Sequence, residues 1–285
     1  MLDVAIIGLD PDWETTYRPA LRKLRDRLRV RAVFDAVASR ADQAAADFQA
    51  SVCHGILRTA TLPSIRAILV LGDALYRDAL VTFLLRGKKP AFLADIATIV
   101  HTAAGGNSDA GGPMIVPGLP LRYTPATSRL RELMATRLGA ATEIAVKYHR
   151  PQDGMPVETA VALVDWCRYL VGTPAVATSL SSDSVSLEFP PARSHAATTI
   201  ARIEVAQGVR EFSATVTCER GTATLAGIQH MSWRRGGDQR GEALEGERDA
   251  VVVLLDLFCR RVLGGLVPIP TIDDLATSIR LARPS

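Results

Sequence analysis

The sequence predicts a two-part α/β chain. A parallel sheet wound by helices fills residues 1–120, and an α+β domain with a largely antiparallel open sheet fills residues 121–285. Three observations predict this. Short apolar runs without alternation, such as Val4-Ala-Ile-Ile7 and Ala67-Ile-Leu-Val-Leu71, read as strands buried on both faces. Helical segments separate these runs, so successive strands need crossovers and run parallel. Beyond the Gly/Pro stretch Gly111 to Pro120 the period becomes two, with Ala201, Ile203 and Val205 on one face and Arg202 and Glu204 on the other.

The elements follow in order. The first strand ends in Gly8. Tyr17, Leu21, Leu24 and Leu28 recur at helical spacing, with Pro19 in the first turn, where no backbone donor is needed. Val30 to Phe34 forms a second strand ending at Asp35, and an alanine-rich helix runs from Arg40 to Phe48. A helix near Leu57 to Ile65 leads to the strand Ala67 to Leu71, and a helix from Tyr76 to Leu85 leads to the strand Ala91 to Ala94. Ile96 to Thr102 is helical, and Met114 to Pro117 is the last strand of this half.

The second half opens with a helix from Pro125 to Leu138, a strand from Glu143 to Tyr148 and a helix from Val157 to Val171. Strands follow over Thr199 to Val205, Phe212 to Cys218 and Thr222 to Leu225, the last two joined by the turn Glu219-Arg-Gly221. Arg234 to Glu247, charged and glycine-rich, reads as a mobile loop. Helices at Ala250 to Leu263 and Ile272 to Leu281 end the chain.

Composition narrows the function classes. Apolar residues make up 48% and charged residues 22%, enough for a packed core and against bulk disorder. A net charge of +3, with arginines interleaved with acids and few aromatics, argues against a nucleic-acid partner. Cys53, Cys167, Cys218 and Cys259 form no CxxC pair and read as buried thiols in a reducing, cytoplasmic setting. The longest apolar run, Val251 to Leu255, is far below the roughly 20 residues that span a bilayer, so no membrane anchoring is expected. The five histidines show no metal-ligand spacing, and no metal site is expected.

The chemistry-bearing positions start at the first strand. An apolar strand ending in Gly8 opens a dinucleotide-type fingerprint, whose second and third glycines let bare backbone approach a pyrophosphate. Those positions hold Asp10 and Trp13, and Asp12 and Glu14 add two more carboxylates beside them. Like charges a few ångströms apart cost on the order of 1 kcal/mol even in a water-like dielectric. The acids must therefore turn away from any pyrophosphate, with Arg18 offsetting part of their charge. Asp35, 27 positions after Gly8, stands where a carboxylate can bond an adenosine ribose or cap the next helix. Lys147 and His149 share one face of their strand, and Asp165 and Arg168 are spaced for a local pair on a helix.

Several strings resemble the Gfo/Idh/MocA (glucose-fructose oxidoreductase / inositol dehydrogenase) family. Val4-Ala-Ile-Ile-Gly8 with Trp13 and Tyr17-Arg-Pro-Ala-Leu21 resembles its first βα unit. Val33-Phe-Asp35 with Arg40-Ala41 resembles its second, and Gly87-Lys-Lys-Pro90-Ala-Phe92 the approach to its Glu-Lys-Pro motif. Arg122-Tyr-Thr-Pro125, Asp165-Trp-Cys-Arg-Tyr-Leu170-Val-Gly172 and Gly221-Thr-Ala-Thr-Leu225 match further landmarks.

The resemblance implies a Rossmann-like first domain, a second domain whose open sheet packs in homodimers, and hydride transfer between NAD or NADP and a sugar-like or polyol substrate. Its cofactor positions fall on Gly8, Asp10, Trp13, Asp35 and Arg40. Its catalytic lysine falls on Asp95 and its catalytic histidine on Ala162, while Asp165 keeps the family's residue type.

Taking a hydroxyl proton during hydride loss needs a base, and losing that group typically costs about 10²- to 10⁴-fold in rate. Ala162 cannot transfer a proton, and Asp95 is a base only where desolvation raises its pKa. Two expectations result. The first is a catalytically degenerate protein with weak or absent NAD(P) binding that serves as a binding or regulatory module. The second is an active oxidoreductase whose replacement groups are Asp95, Asp165, or Lys147 with His149.

Overall fold

The computed structural model describes residues 1–9, 11–72, 77–96, 113–149, 155–181, 183–191, 198–206 and 212–283. Along the chain these form β1 (Leu2–Ile7), α1 (Tyr17–Lys23), β2 (Leu28–Phe34), α2 (Ala38–Phe48), β3 (Ser51–Val52), α3 (Ile56–Thr61), β4 (Ala67–Val70), α4 (Arg77–Arg86), β5 (Ala91–Leu93) and β6 (Ile115–Pro117). There follow α5 (Pro125–Leu133), β7 (Ala141–His149), α6 (Val157–Val171), β8 (Val176–Leu180), β9 (Ser184–Phe189), β10 (Thr199–Ala206) and β11 (Phe212–Cys218). The chain closes with β12 (Gly221–Ala226), β13 (His230–Arg235), β14 (Asp238–Ala243), α7 (Ala250–Val262) and α8 (Ile272–Ala282).

Two compact units result, Met1–Gly118 with Val251–Asp274, and Leu119–Ala250 with Leu275–Ser285. In the first, six parallel strands run in the order β3-β2-β1-β4-β5-β6. The order reverses direction between β1 and β4, which opens a crevice at their carboxyl ends. Val4, Ile6, Val33, Leu69 and Val116 are fully shielded from water, as the unalternated apolar runs require. Helix α7 joins this unit through its aromatic face, with Phe258 6.0 Å from Phe92 between ring centroids. Asp256, on the same helix, lies 3.6 Å from Arg27.

The expected first helix is shorter than its apolar spacing suggests. Helix α1 stops at Lys23, and Leu28, read as its last apolar contact, already pairs with Leu2 as the first residue of β2. Period alone could not separate a buried helix residue from a buried strand residue. The expected helix from Ile96 to Thr102 lies, apart from Ile96, outside the described residues.

In the second unit eight strands run in the order β14-β13-β12-β11-β7-β10-β9-β8, antiparallel except for the parallel pair β10 and β7. One face buries Ile144, Val146, Ala201, Ile203, Ala214, Val216, Leu225 and Trp233. Against that face packs α6, whose Trp166 meets Phe212 edge-on at 5.4 Å. Helix α5 starts with Pro125 behind a Thr124 cap that accepts the Thr127 N–H at 3.2 Å.

The segment Arg234 to Glu247, read as a mobile loop, is instead largely a hairpin of β13 and β14. Its charges have partners that sequence spacing does not reveal. Arg129 of α5 bonds Glu242 at 2.7 and 3.0 Å, the Trp233 indole N–H donates to Glu242 at 2.8 Å, and Arg137 lies over the Trp233 ring at 5.3 Å.

Candidate functional site

The carboxyl edge of the parallel sheet gathers most of the predicted cofactor positions. Gly8 ends β1 at φ +72°, and a Cβ built on it would lie 1.2 Å from the Gly72 carbonyl oxygen. The glycine is therefore demanded by the close passage of the chain after β4, whatever lies in the crevice. The Gly8 N–H donates to the Phe34 carbonyl at 2.8 Å.

The Leu9 N–H donates to Asp35 Oδ2 at 2.8 Å, and the Val37 N–H to Asp35 Oδ1 at 2.8 Å. Arg40 closes over the same carboxylate with three contacts of 2.9 to 3.1 Å. The Asp35 side chain is only 2% exposed beneath an Arg40 side chain that is 49% exposed. A carboxylate offers about four lone-pair sites, and here two backbone donors and one guanidinium occupy them. Asp35 thus ties the β1 loop to the start of α2.

Trp13, at the third glycine position, sits in a single 3-10 turn and is buried against Phe48 of α2, ring centroids 5.9 Å apart. It delays the helix, so α1 begins only at Tyr17. The Thr16 N–H is taken by the Asp12 carbonyl at 2.8 Å. Glu14 pairs with Arg18, which also reaches Asp47 at 2.7 Å, so the expected offset of acidic charge by Arg18 takes the form of two ion pairs. Asp10 lies outside the described residues. Asp95 follows β5 half-buried, on the same carboxyl edge as Gly8 and Asp35.

The second unit separates its candidates. Asp165, on α6, faces inward with its side chain 1% exposed. Its partner is Arg122, which donates to both carboxylate oxygens at 2.7 and 2.6 Å. The expected local pair with Arg168 is present as a longer contact: Arg168 stands 4.0 Å from the same carboxylate and also donates to Ser278 of α8 at 2.8 Å. The Ser278 hydroxyl also donates to Asp165 at 3.4 Å. The planar fork from a separate turn makes the shorter contacts because it bonds both oxygens at once, and the i,i+3 neighbour keeps the outer position.

Lys147 and His149 lie on the opposite, outer face of the sheet. There Lys147 stands in register with Glu204 and Ser213, and His149 Nε2 is 3.1 Å from Ser213 Oγ. No single site in this unit combines Asp165 with that pair. Arg122, which sequence reasoning passed over as a functional partner, was visible only as part of the string Arg122-Tyr-Thr-Pro125.

Burial holds the Cys218 and Cys259 thiols protonated at neutral pH, pushed up to about 11 and about 12, with nearby acids adding to the effect. Cys167 is shifted up further for the same reason. Among the described residues no group of three His, Cys, Asp or Glu side chains is placed to hold a metal ion, and no helix is long and apolar enough to cross a membrane.

Solved structures match over nearly the whole chain. A dehydrogenase (MviM) from Clostridium difficile superposes with TM-score 0.74 at 10% identity, covering 99% of this chain and 97% of that one. The fold is that of the Gfo/Idh/MocA oxidoreductases. A Gfo/Idh/MocA family oxidoreductase from Vibrio cholerae matches with TM-score 0.73 at 14% identity, over 99% and 96% of the two chains. Levoglucosan dehydrogenase, solved with NADH and levoglucosan, matches with TM-score 0.72 at 12% identity, over 99% and 95%. No protein-family model matches the sequence, and no curated protein does. The chain therefore keeps the Gfo/Idh/MocA architecture at a sequence distance where every side chain must be judged on its own contacts.

Proposed function

We propose that this Gfo/Idh/MocA-fold protein is catalytically degenerate, binds NAD(P) weakly or not at all, and acts as a binding or regulatory module. The observation that carries this reading is the closed β1 loop. Pyrophosphate recognition in such folds needs free backbone N–H groups after the first glycine and a helix that begins at once. Here the Gly8, Leu9 and Thr16 N–H groups already have protein acceptors, Trp13 fills the turn, and α1 is delayed. Asp35, the candidate ribose acceptor, is covered by Arg40. Asp95 and Ala162 add the chemical argument, since the resembling family keeps lysine and histidine at those positions.

The outer face of the eight-stranded sheet supports a homodimer. Its rows carry Ala145, Thr215, Thr224 and Ser232 between the flanking charges, a low-relief surface on which a second copy can lie. The cytoplasm is the compartment that fits four free thiols.

The alternative, an active NAD(P)-dependent oxidoreductase on a sugar-like substrate, draws support from one feature, the intact switch point between β1 and β4. In that reading Asp95 or Asp165, or Lys147 with His149, supplies the replacement base. Fluorescence titration of the full chain with NADH and NADPH separates the two. No saturation at millimolar cofactor is expected, and micromolar binding of either would overturn the degenerate reading.

A further inference from the structure

At the amino edge of the parallel sheet, far along the strands from the crevice, Arg29 and Arg31 share a single acceptor. Arg29 Nε donates to Asp3 Oδ1 at 2.8 Å and Arg31 Nε donates to the same oxygen at 2.9 Å. The backbone arranges this. Asp3 pairs with Arg29 and Val4 with Val30, but Ala5 pairs with Ala32, so Arg31 is the extra residue of a β-bulge. Alternation puts Arg29 and Arg31 on the face of Asp3, and the bulge returns Ala32 to the face of Ala5.

Because each guanidinium is held by its Nε, the Nη edges of both remain without a partner among the described residues. The two side chains are 47% and 44% exposed. Arg66 joins them. Its backbone N–H donates to the Asp3 carbonyl at 2.9 Å, it precedes the Val4–Ala67 register by one residue, and it is exposed. Two guanidinium groups hold the Asp3 carboxylate and Arg66 leaves the same face of the sheet one strand over, so three arginines and one carboxylate share this corner, an excess of two positive charges.

We propose that Arg29, Arg31 and Arg66 form a binding site for a phosphate monoester, with Asp3 as the post that holds two of the forks in place. Guanidinium edges match phosphate oxygens in pairs, and a fork that is already oriented loses less freedom on binding than a mobile one. The excess of two positive charges matches a monoester, which carries about −1.5 to −2 at neutral pH. A lone carboxylate would leave half of that excess uncompensated. The site lies on the opposite edge of the sheet from the crevice after β1, so it stands independently of the reading of that crevice.

The test titrates the full-length chain at fixed ionic strength with inorganic phosphate, with a phosphoserine peptide and with its unphosphorylated twin, each followed by calorimetry. Saturable binding of a phosphate-bearing probe is expected. R29A/R31A should weaken it by roughly tenfold or more, while R25A, an exposed arginine outside the cluster, should leave it unchanged. R29K/R31K, which keeps the charge but loses the fork, should fall between. Circular dichroism melts would verify that the variants fold, and the lysine variant serves if the alanine variant does not.

Equal affinity for free phosphate and the phosphopeptide would assign the site to small phosphate esters. A clear excess for the phosphopeptide would assign it to phosphate carried on a protein. Failure of every phosphate probe to saturate at millimolar concentration, equal binding of the unphosphorylated peptide, or binding that survives in folded R29A/R31A would overturn the proposal.

Discussion

Each unit buries an aspartate under an arginine, and the two pairs are built in opposite ways. Asp35 and Arg40 are five residues apart, across the end of a strand and the first turn of the next helix. The arginine is half in water, and two backbone N–H groups share the carboxylate. Asp165 and Arg122 are 43 residues apart, both side chains are buried at 1% and 9% exposure, and the Ser278 hydroxyl adds a contact to the carboxylate. The first carboxylate would remain satisfied in part without its arginine. The second would be left as a charge in a low-dielectric interior. The same residue pair is a loop fastener in one unit and a core element in the other.

Removing each arginine would sharpen this difference. R122A should have the largest effect, a loss of about 3–5 kcal/mol in urea unfolding, because it strands the Asp165 charge. A loss of under 1 kcal/mol would mean that water or a rearranged Arg168 takes over. D35A should cost about 1–3 kcal/mol, since it orphans the Leu9 and Val37 N–H groups. R40A should cost about 1 kcal/mol or less, because those donors still hold the carboxylate and the pair is partly exposed. Equal losses for R40A and R122A would break the comparison.

A third pair tests the role of pH. Arg129 holds the Glu242 carboxyl below its ordinary value of 4.5, with the Trp233 N–H helping. Its folded pKa is depressed, so the stability it contributes is present above about pH 4.5 and lost as pH falls through the folded value. Thermal melts from pH 7 to pH 3 should show E242Q converging on the parent protein at the acid end. The gap at pH 7 should be about 1 kcal/mol, given side chains 29% and 20% exposed. A gap that stays constant across the range would exclude the linkage. R29A should have the smallest effect on stability, within about 1 kcal/mol, because Arg29 and Arg31 are nearly half in water and share their acceptor.

The local pair was within reach of sequence reasoning, which offered Asp35 as a ribose acceptor or as a strand-end residue that begins a turn or caps the next helix; its contacts are with the Leu9 and Val37 N–H groups and Arg40, and the helix carries no side-chain cap. The distant pair was not: i,i+3 spacing reaches only the longer Arg168 contact, and nothing in the chain between residues 122 and 165 says that a turn returns beside a helix. The β13–β14 hairpin was missed for a related reason. Its strand Asp238 to Ala243 is an edge without apolar alternation, held by Arg129 and Trp233 instead of by a buried face. At Leu28 the apolar period carried a helix past its true end.

The sequence by itself determined the architecture. Short unalternated apolar runs separated by helical segments suit a doubly covered parallel sheet, and period-2 runs joined by short turns suit a sheet with one wet face, so the two kinds of sheet follow in that order from hydrophobic pattern and spacing together. It also determined that the fingerprint glycines are absent, since Asp10 and Trp13 stand there. Only the tertiary structure decided what replaced them. Hydrogen bonds and ion pairs depend on directions and distances of a few ångströms between residues far apart in the chain. The closed loop under Asp35, the Trp13 seat on Phe48, the Arg122 fork and the shared Asp3 oxygen therefore became visible only in three dimensions.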